Sequence, residues 1–261
     1  MKIFVSVDME GISGIASSDQ VKRGHQAYEE ARRFMTWDAN ACAEGCFRGG
    51  AKKVVIWDAH GASFNMLWDQ LDPRVELMQG GDSLGRLHDI GDFDALILLG
   101  YHALAGSPSA VLEHTMSSAS WQNFWLNGKK AGELAIDAGI AGDSNVPTIM
   151  ASGDDKFCKE ARQWIKGIYT AQVKTGLATY GARFLSKPAA HALITQTAEQ
   201  ACRNHKTIKP LVHKKPVAFR LEVTERNQLP ALAAHRPYLK LIDGRTWEVT
   251  GASTREALER L

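Results

Sequence analysis

The chain has 261 residues, 44% of them apolar, enough to bury a large core as one α/β domain or as a larger domain with a smaller appendage. Its charges nearly cancel, leaving a formal net charge of +2, and no Lys/Arg stripe interleaved with aromatics is present, which argues against nucleic acid and for a small-molecule partner. No apolar run approaches the roughly 18 residues of a spanning helix, so no membrane partner is expected, and the four cysteines lack the spacing of a secreted disulfide framework, which fits a reducing cytoplasm.

Ile3 to Val7 is an apolar run that reads as a first strand and ends in Asp8-Met9-Glu10-Gly11. Residues two apart on a strand share a face, so Asp8 and Glu10 project together. Two carboxylates that close in a half-buried place need a metal ion or a proton between them. A cleaved leader is not expected, because it would remove these carboxylates. A Gly/Ser-rich loop follows, then a helical pattern from Gln26 to Phe47 that stops at Gly49-Gly50. Cys42 and Cys46 stand one turn apart on it and read as packed thiols. Lys53 to Trp57 predicts a second, fully buried strand ending in Asp58-Ala59-His60-Gly61. Ala95 to Leu99 predicts a third, ending in Gly100-Tyr101-His102-Ala103.

Ser107 to Ser120 is polar and turn-rich, with Glu113-His114-Thr115 inside it. Trp121–Leu126, Asn127-Gly128 and Lys129-Lys130 predict a hairpin with a type I′ turn. It leads into Ala131-Gly132-Glu133-Leu134, the start of a helix running to about Ala141, with Glu133 in the first turn. Pro147 to Ala151 reads as a further strand and Lys156 to Ile165 as a helix capped by Asp154 and Asp155. Thr170 to Lys174 suggests an edge strand and Pro188 to Asn204 an amphipathic helix. After a basic linker from Lys206 to Lys215, a strand at Val217–Val223, a short helix at Thr224–Ala234, a strand pair around Asp243-Gly244 and a final helix capped by Ser253 are expected. The pattern predicts a mostly parallel, doubly wound α/β sheet with helices on both faces over residues 1–205. A smaller α+β portion over 206–261 either stands apart or packs into the same unit.

In open parallel sheets ligands bind at the carboxyl ends of the strands. Asp8, Glu10, His60 and His102 all fall there, and two carboxylates with two imidazoles suit Zn²⁺ or a similar divalent ion. With Glu133 there are five candidate ligands, more than one catalytic zinc needs, but enough for two ions if Asp8 bridges them. Each residue also has a plainer use. Asp8 and Glu10 can cap the loop, His60 and His102 can be satisfied buried imidazoles, and Glu133 can favour its helix dipole. The remaining histidines, His25, His88, His191, His205, His213 and His235, match no motif and read as surface or packing residues. A two-metal hydrolase is the expectation. A dinuclear phosphoesterase and a non-catalytic module of flavodoxin-like architecture are the competing classes. The first lacks an Asn-His-Glu run after the third strand, the second a phosphate loop after the first.

Ser6-Val7-Asp8-Met9-Glu10-Gly11-Ile12-Ser13-Gly14, Asp58-Ala59-His60, Gly100-Tyr101-His102-Ala103, His114-Thr115-Met116, Gly132-Glu133-Leu134 and Ser152-Gly153-Asp154-Asp155 together resemble the zinc-dependent D-aminopeptidases of the DppA type, in order and in approximate spacing. The resemblance implies that Asp8, Glu10, His60, His102 and Glu133 hold two zinc ions and that His114 is the catalytic residue. It implies a ring-based decamer that removes N-terminal D-residues from short, D-Ala-D-Ala-like peptides, while other members with these motifs take L-peptides. Seven tryptophans, with Trp121 and Trp125 in a hairpin that the main sheet does not need for its own core, add to the expectation of a homo-oligomer.

Overall fold

The computed structural model describes residues 1–81, 85–230 and 236–261. In chain order the main elements are β1 (Lys2–Val7), α1 (Gln26–Arg48), β2 (Lys53–Asp58), β3 (Glu76–Met78), β4 (Ala95–Leu99), the hairpin β5 (Trp121–Leu126) and β6 (Lys129–Lys130), and α2 (Glu133–Asp143). Then follow β7 (Thr148–Asp154), α3 (Asp155–Trp164), β8 (Tyr169–Ala178), β9 (Gly181–Phe184), α4 (Lys187–Arg203), β10 (Val217–Val223), β11 (Leu239–Leu241), β12 (Thr246–Gly251) and α5 (Thr254–Glu259).

Seven strands form one sheet in the order β3-β2-β1-β4-β7-β8-β9, parallel except for the final β8–β9 pair. Ile3–Val7, all of β4 and all of β7 are buried, as a sheet covered on both faces requires. Helices α1 and α4 pack together and against this sheet, and α2 packs with α5. Five strands form a second, antiparallel sheet in the order β11-β12-β10-β5-β6. The architecture is therefore mixed α/β, as expected, with a larger second sheet than expected. Among the described residues no helix is long and apolar enough to cross a membrane.

Local differences have physical causes. Strand β3 is three residues long and partly exposed, so no apolar run announces it. Thr170–Lys174 is no edge: β8 is paired on both sides and β9 closes the sheet. Of the helix expected over 224–234, a single 3₁₀ turn at Arg226–Gln228 forms; residues 231–235, His235 among them, lie outside the described residues. The second sheet draws β5 and β6 from before residue 205 and the rest from after it, because β10 finds its partner in the hairpin rather than in a neighbour along the chain. Trp121 of that hairpin packs on Phe124, with ring centroids 5.4 Å apart. At the turn, Asn127 and Gly128 both have positive φ, 48° and 80°, as a type I′ turn demands.

The chain order leaves β1 by way of β2 and β3 on one side and returns to its other side with β4. The switch point of the sheet is thus between β1 and β4, where ligand crevices form. Their ends run close together: the Gly11 N–H donates to Gly100 O at 2.7 Å, and Gly100 has φ +71° with Asp8 O and Ile12 where a side chain would stand. Only glycine fits there.

Candidate metal centre

All six residues singled out in the sequence meet above this switch point. Asp8 and Glu10 follow β1, His60 follows β2 and His102 follows β4, so three strand ends supply four side chains. Glu133 opens α2, delivered there by the hairpin that ends at Lys130. His114 lies in the connection between β4 and β5, where Ser109, Leu112 and Met116 all adopt positive φ. Left-handed backbone at three non-glycine residues is strain of the kind that collects at functional sites.

Asp8 turns one oxygen each way. Its Oδ1 is 3.1 Å from His60 Nδ1 and its Oδ2 is 3.3 Å from His102 Nε2. Glu10 Oε2 is also 3.1 Å from His60 Nδ1, and Glu133 Oε1 is 3.2 Å from His102 Nε2 and 3.8 Å from His114 Nε2. The rings of His102 and His114 stack, centroids 3.8 Å apart and 12° from parallel. The far nitrogen of each imidazole is engaged by a main-chain carbonyl: His60 Nε2 by Val21 O at 2.9 Å, His102 Nδ1 by Ala103 O at 3.1 Å and His114 Nδ1 by Leu112 O at 2.8 Å. A carbonyl only accepts, so these nitrogens carry the protons. The near nitrogens then face carboxylates, and a lone pair facing an anion needs something positive between them.

Burial sharpens that need. Asp8, Glu10, His102 and Glu133 are buried, and Asp8 Oδ2, Glu10 Oε2 and His102 Nε2 have no hydrogen-bond partner. Ligand-type atoms of Asp8, Glu10 and His60 all lie within 4.8 Å of one another, as do those of His102, His114 and Glu133. Burial, with Glu10 beside it, pushes the Asp8 carboxyl up to about 7. Burial opposes charge on His102 and His60 too, but Glu133 raises His102 to about 10 and Glu10 holds His60 well above its ordinary value. Against the same burial, His60 keeps Glu10 and His102 keeps Glu133 below the usual carboxylate range. Burial and then the His102 ring lower His114. Without metal the cluster stays together by taking up protons; divalent ions can replace those protons on the same atoms.

Several supporting residues escaped the sequence. Arg86 donates from Nη2 to Glu133 Oε2 at 2.9 Å and also pairs with Asp137. The Tyr101 hydroxyl donates to Asp137 at 2.7 Å and lies 2.6 Å from Ser6 Oγ. The Met116 N–H donates to Glu133 Oε1 at 2.8 Å. On the other side Asp58 accepts from Asn65, whose side-chain amide also donates to His60 O at 2.8 Å. Asp137, one helical turn after Glu133 on the same face, was a readable cue; Arg86 had none. A cavity of about 280 Å³ lies beside the centre, lined by Trp57, Ala59, Gly61, Arg86 and Met116 among others.

The family model Peptidase_M55, described as D-aminopeptidase, matches residues 1–261. A D-aminopeptidase of Bacillus subtilis (strain 168) is 35% identical over 213 residues, 81% of this chain and 77% of that protein. A solved structure, the Zn-dependent D-aminopeptidase DppA from Bacillus subtilis, described as a self-compartmentalizing protease, has a TM-score of 0.91 at 30% identity, covering 99% of this chain and 94% of that one.

Proposed function

The chain belongs to the Peptidase_M55 D-aminopeptidase family, and from that premise we propose that it is a dinuclear zinc aminopeptidase removing the N-terminal residue of short peptides, D-Ala-D-Ala-like ones in particular. The observation that carries the proposal is the split of the Asp8 carboxylate, one oxygen toward His60 and the other toward His102. Asp8, Glu10 and His60 would hold one ion, and Asp8, His102 and Glu133 the other. When bound, such a pair polarises a scissile carbonyl and lowers the pKa of water toward about 7.

The remaining work falls to the chain's own residues. His114 keeps the proton on Nδ1 for Leu112 O, so its Nε2 is free to take a proton and to return it to the leaving amine. Arg86 and the Met116 N–H fix Glu133, each through one of its oxygens. The acidic cluster suits the substrate's free ammonium group, which is what distinguishes an aminopeptidase from an endopeptidase. The adjacent cavity is sized for a short peptide rather than a folded protein. Four free, buried thiols suit the cytoplasm. We read the chain as a homo-oligomer like its self-compartmentalizing relative, and exposed Leu177 and Tyr180 suit an interface.

Paired D-Ala and L-Ala anilides and dipeptides test the activity. The proposal expects hydrolysis of the D series, loss of activity with a chelator and return with Zn²⁺, Co²⁺ or Mn²⁺. Preference for the L series would move the chain to the L-peptide branch of its family; full activity in metal-free protein would overturn the mechanism.

A further inference from the structure

Lys174 is 1% exposed although it lies on β8, away from every ligand in sequence. Its ammonium meets three main-chain carbonyls, Glu10 O at 2.5 Å, Ile12 O at 2.9 Å and Ile15 O at 2.6 Å. Three acceptors match the three N–H groups of an ammonium ion and exceed what a neutral amine can serve. No carboxylate is bonded to it among the described residues; what it binds is the loop that begins at a metal-type ligand.

That loop turns tightly, with Ile12 N–H to Met9 O at 3.2 Å and Ile15 N–H to Ile12 O at 3.3 Å, so carbonyls 10, 12 and 15 converge on one buried point. Buried carbonyls left without a donor are costly, and Lys174 supplies one to each. A second clamp acts from α1, where the buried Asp38 carboxylate accepts from Ser13 N at 2.8 Å and from Ser13 Oγ at 2.6 Å. The loop is pinned by a cation from β8 on its carbonyl side and by an anion from α1 on its N–H side.

The strand is shaped to deliver the lysine. Gly153 pairs with Gln172 but Asp154 with Lys174, a slip of one residue, and the burial alternation breaks there so that Val173 and Lys174 are both buried. A bulge re-aims a side chain in this way.

We propose that Lys174 is a positioning residue for the metal centre: by seizing the carbonyl of Glu10 itself and those of Ile12 and Ile15, it sets the main-chain position of Glu10 and so the geometry of the Asp8–Glu10–His60 half. This rests on the two-ion reading above and adds an asymmetry to it. His102 and Glu133 hang on β4 and α2 and share only Asp8 with the first half, so their half leans less on Lys174.

Co²⁺ titration of the full-length protein, followed by absorption and by metal content per chain, tests it in wild type and in Lys174→Met. In the variant one Co²⁺ should bind as in wild type and the other roughly 10–100-fold more weakly, the range for loss of a group that supports a ligand. A purely structural lysine would lower the melting temperature without splitting the two affinities. Should Lys174→Met not fold, Lys174→Gln, whose amide can serve at most two of the three carbonyls, should give a smaller split in the same direction. Two unchanged affinities, or equal weakening of both, would overturn the role of Lys174. Wild type binding fewer than two ions would instead overturn the two-ion reading.

Discussion

The centre is built from two regions of unlike origin. Asp8, His60 and His102 stand just beyond adjacent parallel strands joined by the sheet's own hydrogen-bond ladder, with Glu10 in the loop that continues from Asp8. His114 and Glu133 come from the segment between β4 and α2, whose hairpin is held by β10, nearly a hundred residues further on. The first region is fixed by local strand order, the second by a distant pairing and by a strained loop. On the proposed reading, ion binding draws on the parallel sheet together with Glu133, and proton handling on His114 of the inserted segment.

The largest effect expected is at the residue shared by both halves. Asp8→Ala should abolish peptidase activity and leave about one metal ion or none per chain, as metal analysis would show; two retained ions would mean that no carboxylate bridge exists. Next, His114→Ala should keep the metals and lower kcat by roughly 10²–10⁴-fold, in steady-state kinetics beside metal analysis. If metal were lost instead, the inserted segment would supply a ligand rather than a proton carrier, and the division between the two regions would fail.

Arg86→Met probes the inserted side through Glu133. Metal affinity in the His102 and Glu133 half should drop roughly 10–100-fold, mirroring the change that Lys174→Met makes on the opposite half. Stability should fall by about 3–5 kcal/mol, since buried Asp137 loses its cation; denaturant melts measure this. The mirror-image split between the two variants is the sharpest form of the comparison.

The smallest effect is a pH dependence of metal-free stability. Asp8, raised to about 7, contributes stability that is fully present below its unfolded pKa and is lost as pH rises through about 7. His102, raised to about 10, contributes stability that is fully present below its unfolded pKa of about 6.5 and is lost as pH climbs through about 10. Both have the same sign, and burial, which lowers the Lys174 ammonium to about 7, acts in the opposite sense only above that pH, so the melting temperature of metal-free protein should decline from about pH 4 to pH 7. Zinc-loaded protein should reverse the trend over the lower part of this window, because metal and protons compete for the same atoms.

How much the sequence disclosed follows the same division. Strand ends that repeat Asp-x-Glu, Asp-Ala-His and Gly-Tyr-His are readable because period and position alone place them on one rim. His114 carried no such signal; its place depends on Leu112, Met116 and a loop with left-handed backbone, and only family resemblance pointed to it. Strand β3 is too short and too exposed to be seen, and the pairing of β5 with β10 cannot be inferred from either strand alone. Arg86 and Lys174 were invisible because a buried cation is recognised by what surrounds it, Asp137 and Glu133 for one and three carbonyls for the other.

Anomalous scattering at the zinc edge from crystals of the zinc-loaded protein tests the central claim most directly. Two peaks are expected, one among Asp8, Glu10 and His60 and one among Asp8, His102 and Glu133, with an Asp8 oxygen on each and His114 Nε2 outside bonding distance. A single peak, or a zinc bonded to His114, would contradict it.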